Sequence, residues 1–359
     1  MKRIPSNRPF FPNRSEFDKL VDGIWERKWI TNQGDLVTEL EKKMGDFLEV
    51  PHISFVSSGT TGLQLALKCL PEKGEVITTP FSYPATTNAI IQEGFTPIFA
   101  DILPGKLTVD PAVIKSLIGP KTAAIMPVHV YGNNCDTDAI DEISGEFNIP
   151  AIYDAAHSFG ARKGGKSIFG KGDFSVLSTH ATKMFHTANG GFVVCKTAQD
   201  RQRIDRLKNF GHNGPNTFEL PGINGKNSEL HAAMGLCNMG HANAILEKRK
   251  NQWAYYQDAL RKQTGIELLQ LSDEAGYNGA YFPVIFKSAD LCRKAISEGV
   301  KRQIELRKYF SPSLNQLQYL DYQVCPAAES IASRTCCLPL YHEMERAEQD
   351  RVIALIASL

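Results

Sequence analysis

The chain has 359 residues, enough for about two domains or one large α/β domain with an appendage, and a chain this long buries roughly three quarters of its unfolded surface without metal or disulfide staples. Its 42% hydrophobic and 22% charged residues exclude disordered, collagen-like and coiled-coil classes. Forty Lys and Arg against 39 Asp and Glu leave a net charge of +1, so nothing in the overall balance points to nucleic acid or an anionic membrane, and any polyanion must be met by a local site.

The first residues carry cations, but no apolar run follows them, and no stretch approaches the ~18 apolar residues of a membrane span. A soluble, unexported, cytoplasmic protein with no nucleic-acid or membrane partner is expected. From about residue 36 to 196, short β-rich runs alternate with helical spacing, the mark of a mostly parallel sheet covered by helices. Strands are expected at 52–56, 75–79, 97–101, 123–130, 151–154, 174–178 and 191–195, and helices at 63–70, 86–93, 111–117 and 138–147. Asp110 caps the third of these helices and Pro111 suits its first turn.

A helix follows at 200–209, and then a Gly/Pro/Asn-rich loop from 211 to 227 that is long enough to be functional. One long helical stretch is expected from about 228 to 263, in which Glu247-Lys248-Arg249-Lys250 reads as a solvated face. A strand at 280–286 followed by helices suggests a smaller α+β unit. The resulting division is a large domain over 1–240, N-terminal segment included, and a small one over 241–359. The eight cysteines form no C-x-x-C, so a zinc ribbon or redox pair is excluded, reduced structural thiols are expected, and no metal site is foreseen. Adjacent Cys336 and Cys337 do not suit a bridge to each other.

Three segments carry chemistry. Ser57-Ser58-Gly59-Thr60-Thr61-Gly62 joins a strand to a helix, where open backbone N–H groups and the helix dipole favour a phosphate; an ordinary Gly-rich turn is the alternative. It is neither G-x-G-x-x-G nor a Walker loop. In Tyr153-Asp154-Ala155-Ala156-His157 an apolar strand ends in an acid, which at a parallel sheet edge faces the ligand crevice, unless Asp154 merely caps the next turn. In Ser178-Thr179-His180-Ala181-Thr182-Lys183 a lysine follows a buried strand, and lysines with lowered pKa form Schiff bases. A phosphate cradle, an edge carboxylate and such a lysine together match pyridoxal 5′-phosphate, which needs a phosphate grip, an anion at its ring nitrogen and an amine at its aldehyde.

With these segments, the chain resembles the DegT/DnrJ/EryC1/StrS nucleotide-sugar aminotransferases of the aspartate-aminotransferase fold (fold type I). The resemblance runs nearly the whole length, from Trp29-Ile30-Thr31-Asn32-Gln33-Gly34 through Ser58-Gly59-Thr60, Pro127-Val128-His129-Val130-Tyr131-Gly132, Asp154-Ala155-Ala156-His157, Gly190-Gly191, Gly222-Ile223-Asn224-Gly225-Lys226 and Ala232-Ala233 to Leu338-Pro339-Leu340. It implies an α/β large domain whose mostly parallel mixed sheet is flanked by helices, with a smaller C-terminal α+β domain. It further implies Lys183 as the catalytic Schiff-base lysine and Asp154 as the ring-nitrogen partner. Gly59, Thr60 and Ser178 would hold the phosphate, Tyr83 the ring face, and His157 the ring hydroxyl, while Asn224 would reach the phosphate from the second subunit of a homodimer with shared active sites.

Two positions depart from the family pattern: Asn189 stands where a carboxylate is frequent, and Lys226 where Arg is usual, which replaces a bidentate donor by a point charge. His180, His186 and Lys226 are candidate substrate contacts, with a structural role as the alternative for each histidine. For the diphosphate, Lys226 with Lys2, Arg3 or Arg8 are the candidate cations. The expected activity moves an amino group from glutamate to a nucleotide-linked keto-deoxysugar in deoxysugar and polysaccharide biosynthesis, with dTDP-4-keto-6-deoxyglucose first. A 3-keto isomer is the alternative, and a non-catalytic cofactor-binding regulator is a remote one that the Asn189 departure leaves open. The family's dehydratase branch is disfavoured because it carries His where this chain has Lys183.

Overall fold

The computed structural model describes residues 2–359. Its main sheet is built from β1 (Ile53–Val56), β2 (Glu75–Thr78), β3 (Thr96–Phe99), β4 (Thr122–Met126) and β5 (Ile152–Asp154). After a short hairpin, β6 (Arg162–Lys163) and β7 (Lys166–Ser167), come β8 (Phe174–Ser178) and β9 (Gly191–Cys195). Strands β3, β2 and β4 pair in parallel, β5 pairs in parallel with β8, and single parallel bridges at Ile125–Ala151 and Val128–Asp154 join the two groups. The order across the sheet is therefore β3-β2-β4-β5-β8-β9-β1. Only β9 runs against its neighbours, antiparallel to both β8 and β1. A parallel neighbour requires a crossover, whereas the connection 179–190 holds no helix and simply turns back.

Helices cover both faces, which is why β1, β8 and β9 are buried along their whole length. On one face α1 (Arg14–Arg27), α2 (Asp35–Leu48) and α8 (Glu229–Met239) lay Ile24, Leu40, Met44 and Ala233 against Phe55, Leu177 and Phe192. On the other, α3 (Gly59–Lys68), α4 (Pro84–Gln92) and α7 (Ala198–Leu207) bring Leu63, Ala89 and Ile204 onto Val56, Val176 and Val193. Helices α5 (Pro111–Leu117) and α6 (Thr137–Phe147) pack Ile114 and Ile140 with Ile77, Ile125 and Tyr153.

The last third carries α9 (Ala242–Leu260), the antiparallel sheet β10 (Ile266–Leu268), β11 (Phe282–Phe286) and β12 (Thr335–Leu338), and helices α10 (Ala289–Lys301), α11 (Pro326–Arg334) and α12 (Arg346–Ala357). Its core gathers Trp253, Tyr256, Val284, Cys336 and Val352, and Ile4 from the far end of the chain is buried among them. Among the described residues, no helix is long and apolar enough to cross a membrane.

Three features differ from the sequence expectations. The stretch expected as one helix from 228 to 263 is two, broken where Gly240 caps α8 and His241 leaves helical geometry. Helix α1, capped by Asn13, precedes the expected alternation altogether. Arg249 is not on a solvated face: it is only 5% exposed, and its guanidinium donates to the carbonyls of Gly279, Ala280 and Leu340. One residue in the charged run thus clamps α9 to the end of the C-terminal sheet where β11 begins and β12 finishes, while Glu247 and Lys248 face solvent as helical spacing allows.

The Trp29–Gly34 segment also finds its cause. Gly34 is the N-cap of α2 and has no side-chain acceptor to offer, so the wholly buried carboxylate of Glu229 takes that role from α8, accepting the N–H groups of Leu36 at 3.1 Å and Val37 at 3.0 Å. A Cβ at position 34 would meet that carboxyl at 2.5 Å. We expect Glu229→Ala to lower unfolding free energy by about 2 kcal/mol, since a cap is lost and two buried N–H groups are orphaned. Urea denaturation checks this, and an unchanged midpoint would show that water replaces the carboxylate.

Candidate active site

A cavity of about 310 Å³ opens where the C-terminal ends of β1, β5 and β8 meet the C-terminal unit. At the end of β1 the chain turns into α3 with Ser58 as cap, its Oγ accepting the Thr61 N–H at 3.0 Å. Gly59 and Thr60 line the cavity, and their N–H groups, at the first turn, have no partner within the helix. Close packing makes the glycines necessary. A Cβ on Gly59 would stand 3.0 Å from that of Ser178, and one on Gly191 would stand 2.7 Å from the Gly59 nitrogen. The starts of α3 and β9 and the end of β8 are therefore pressed into one small cradle, with the Ser178 side chain at its wall.

Asp154 ends β5 and is 5% exposed. Thr86 donates to its Oδ2 at 2.7 Å and the Ala156 N–H to its Oδ1 at 3.1 Å. Burial raises its pKa, while Thr86, Ala156 and the nearby Lys183 charge pull it back. His157 receives the Tyr131 N–H on Nδ1 at 3.1 Å, so its own proton sits on Nε2. Burial, and secondarily Lys183, hold it well below the ordinary histidine range, and it stacks on Phe310 at 5.8 Å. Tyr83, at the N-cap of α4 and 56% exposed, offers its ring to the cavity.

Lys183 lies in the connection that turns β8 back into β9. That turn is held by Lys183 N–H to His180 O at 2.8 Å, Ala181 N–H to Ala188 O at 2.9 Å and a Thr179–Thr187 hydroxyl pair at 2.8 Å. Burial lowers the Lys183 pKa to about 8, although Asp154 acts to raise it. A lysine so placed is a substantial fraction neutral near physiological pH.

The cavity thus brings together Gly59, Thr60, Tyr83, Asp154, His157, Ser178, His180 and Lys183. Three sequence candidates lie outside it. His186 is buried, donating from Nε2 to Phe10 O at 2.6 Å and accepting the Ala188 N–H on Nδ1 at 3.1 Å, so both ring nitrogens are taken structurally. Asn224 is exposed and its backbone bridges Asn209. Lys226 donates to Asn209 Oδ1 at 2.6 Å and lies over the Phe210 ring. Of the N-terminal cations, Lys2 and Arg3 pair with Glu348 and Glu305, and Arg8 covers Tyr341.

Besides Lys183, the cavity is lined by the cation Arg307, which sequence reasoning missed; Tyr281, Tyr309 and Phe310 accompany it. Arg307 rides on a backbone bridge to Cys337 of β12, and its guanidinium lies over the Tyr309 ring. Only the neighbouring aromatic pair at 309–310 could have flagged it. Asn189 lines the cavity as well, its carbonyl receiving Asn227 Nδ2 at 3.0 Å.

The sequence pattern of the DegT/DnrJ/EryC1/StrS aminotransferase family matches residues 13–357. A dTDP-4-amino-4,6-dideoxy-D-glucose transaminase of Shigella dysenteriae is 40% identical over 100% of this chain and 99% of its own length. A protein of the same name from Escherichia coli is 37% identical over 96% of this chain and 95% of its own. Among solved structures, DesI with its TDP-sugar product superposes with a TM-score of 0.93 at 29% identity, covering 100% of this chain and 93% of that one. DesV of S. venezuelae, in complex with a ketimine intermediate, gives 0.92 at 25% identity, covering 100% and 98%.

Because only a neutral amine attacks an aldehyde, capture of added cofactor by the apoprotein should quicken as pH rises through about 8 and then level off. In Asp154→Asn the carboxylate that raises the lysine pKa is gone, so the midpoint should move to lower pH. Stopped-flow absorbance across pH 6–10 (about four units around that midpoint) reads both, and a profile flat through pH 8 would remove Lys183 as the capturing amine.

Proposed function

Because the chain belongs to the DegT/DnrJ/EryC1/StrS family of pyridoxal-phosphate-dependent aminotransferases, we propose that it transfers an amino group from glutamate to dTDP-4-keto-6-deoxyglucose, yielding the 4-amino-4,6-dideoxy sugar nucleotide. The observation that carries this reading is the meeting of Lys183, Asp154 and the open start of α3 in one cavity, in a chain 40% identical along its length to a dTDP-4-amino-4,6-dideoxy-D-glucose transaminase.

The residues fit the cofactor. Gly59 and Thr60 offer backbone N–H groups at a helix N-terminus and Ser178 a hydroxyl beside them, a suitable grip for the phosphate. Asp154, fixed by Thr86 and Ala156, would hold the ring-nitrogen proton in a charge-assisted bond. His157, with its proton on Nε2, would donate to the ring hydroxyl, and Tyr83 would cover one ring face. Pyridoxal phosphate supplies an aldehyde that accepts an amine and a ring that draws off electrons.

Lys183 has two tasks in this proposal. Its amine would compete with the donor's amine for the aldehyde and, once displaced, would carry a proton between the donor's α-carbon and the carbon of the cofactor's aldehyde, for which a pKa near 8 is well placed. The same steps in reverse deliver the amine to the sugar ketone, so ping-pong kinetics follow. Arg307, a cavity-lining cation with no ion pair among the described residues, suits an anionic group of either substrate.

The proposal includes a cytoplasmic homodimer, in which the outward Asn224 and Lys226 would serve the partner's cavity, and a division between large and small domains near residue 240. The burial of Ile4 in the C-terminal core supports grouping residues 2–6 with that unit.

Borohydride reduction should fix the cofactor on one peptide, that containing Thr182-Lys183-Met184. Lys183→Ala should bind cofactor yet lose turnover by ~10³-fold, within the range for loss of a general acid–base group. Offered glutamate and dTDP-4-keto-6-deoxyglucose, the protein should release 2-oxoglutarate and the 4-amino sugar nucleotide by mass spectrometry. Amination of the 3-keto isomer alone would transfer the reading to that substrate, and trapping on another lysine would end it.

A further inference from the structure

Residues 4–10 form a strap that none of the cavity chemistry above uses. At one end the buried Ile4 pairs in parallel with Ile304, its N–H donating to Gln303 O at 2.8 Å and its carbonyl receiving the Glu305 N–H at 2.9 Å. Ser6 adds a hydroxyl bond to Glu305 at 3.1 Å and accepts the Leu340 N–H at 3.3 Å. At the other end Phe10 gives its carbonyl to His186 and packs on His241 and His342 at about 5 Å. Between these anchors, Asn7 Nδ2 donates to Thr182 O at 2.6 Å.

That oxygen belongs to the peptide unit whose N–H is the Lys183 nitrogen. Its N–H end is already held by His180 O at 2.8 Å. A peptide plane gripped at both ends cannot rotate, and its orientation aims the Cα–Cβ bond that follows. The other anchor of the strap lies two residues from Arg307. The strap therefore spans from the strand that presents the cavity's arginine to the turn that presents its lysine.

We propose that Asn7 is a positioning residue for Lys183, and that the strap sets the lysine amine relative to the wall of the cavity formed by the C-terminal unit. This rests on Lys183 being the cofactor's amine, which borohydride labelling of the wild-type protein decides separately. Asn7 is half-exposed and in no core cluster, so its variants keep the fold. Asn7→Ala removes the donor; Asn7→Asp keeps the shape, loses the donor and sets a carboxylate near the lysine.

The test uses holoenzyme with single-turnover half-reactions and a pH titration of the bound cofactor's absorbance. Both variants should slow the half-reaction with glutamate about 10-fold, since a displacement well under 1 Å at a reacting group already costs this much. The absorbance midpoint should move in both, and upward in Asn7→Asp, because a nearby anion favours the protonated nitrogen. Thermal midpoints should stay within a few degrees, as expected for one part-exposed hydrogen bond. Wild-type rates and midpoint in Asn7→Ala would overturn the proposal. So would a slowing that saturating cofactor abolishes, because that marks a loss of binding rather than of aim.

Discussion

Strand β9 runs against its neighbours, and the site depends on that reversal. A polypeptide that leaves β8 and returns beside it without a crossover must turn at the edge where β1 and β5 also end. The turn consequently sits over the cavity floor, and Lys183 within it faces the carboxylate at the tip of β5. Gly191, starting the reversed strand, lies so close to the first nitrogen of α3 that no side chain fits. The lysine turn and the start of α3 are thus parts of one close-packed corner, and neither can shift without the other.

Burial then sets the chemistry. In a poorly solvated pocket the lysine is easily neutralised and the carboxylate is costly to keep charged, and each moderates the other. Thr86 and the Ala156 N–H hold the carboxylate in a single orientation that does not depend on the lysine remaining nearby. His157 is kept neutral by the same desolvation, with its tautomer chosen by a backbone N–H from Tyr131. Burial therefore shifts all three titratable groups away from their ordinary values before any ligand contributes charge.

What the sequence made legible was local. Alternating β-rich runs and helical spacing gave the sheet strands to within a few residues, and the cradle and the acid at 154 lie at strand ends with the lysine at 183 in the turn just after one, where short-range pattern carries positional meaning. Partners supplied from a distance were not legible. Arg307 reaches the cavity because its strand bridges β12, Glu229 is required by a helix almost two hundred residues away, and Arg249 is buried because three carbonyls happen to converge on it. Conversely, His186 carried a chemical appearance in sequence and has a structural role here, since the N-terminal strap and the Ala188 N–H occupy its two ring nitrogens. The break between α8 and α9 rests on Gly240, whose weak helix preference was outweighed in the pattern by the apolar residues on either side.

The pairing of Ile4 with residues 303–305 joins the start of the chain to a segment completed only near its end, and Ser6 and Glu305 are 299 positions apart. On a ribosome adding about 5–20 residues per second, roughly 15–60 seconds separate the two. Throughout that interval the main sheet can form and the lysine turn can emerge, while the strap has nowhere to anchor. The nascent protein would therefore hold a sheet with a loosely aimed lysine until the last sixth of the chain arrives, and competence to use cofactor would be among the final properties gained in synthesis.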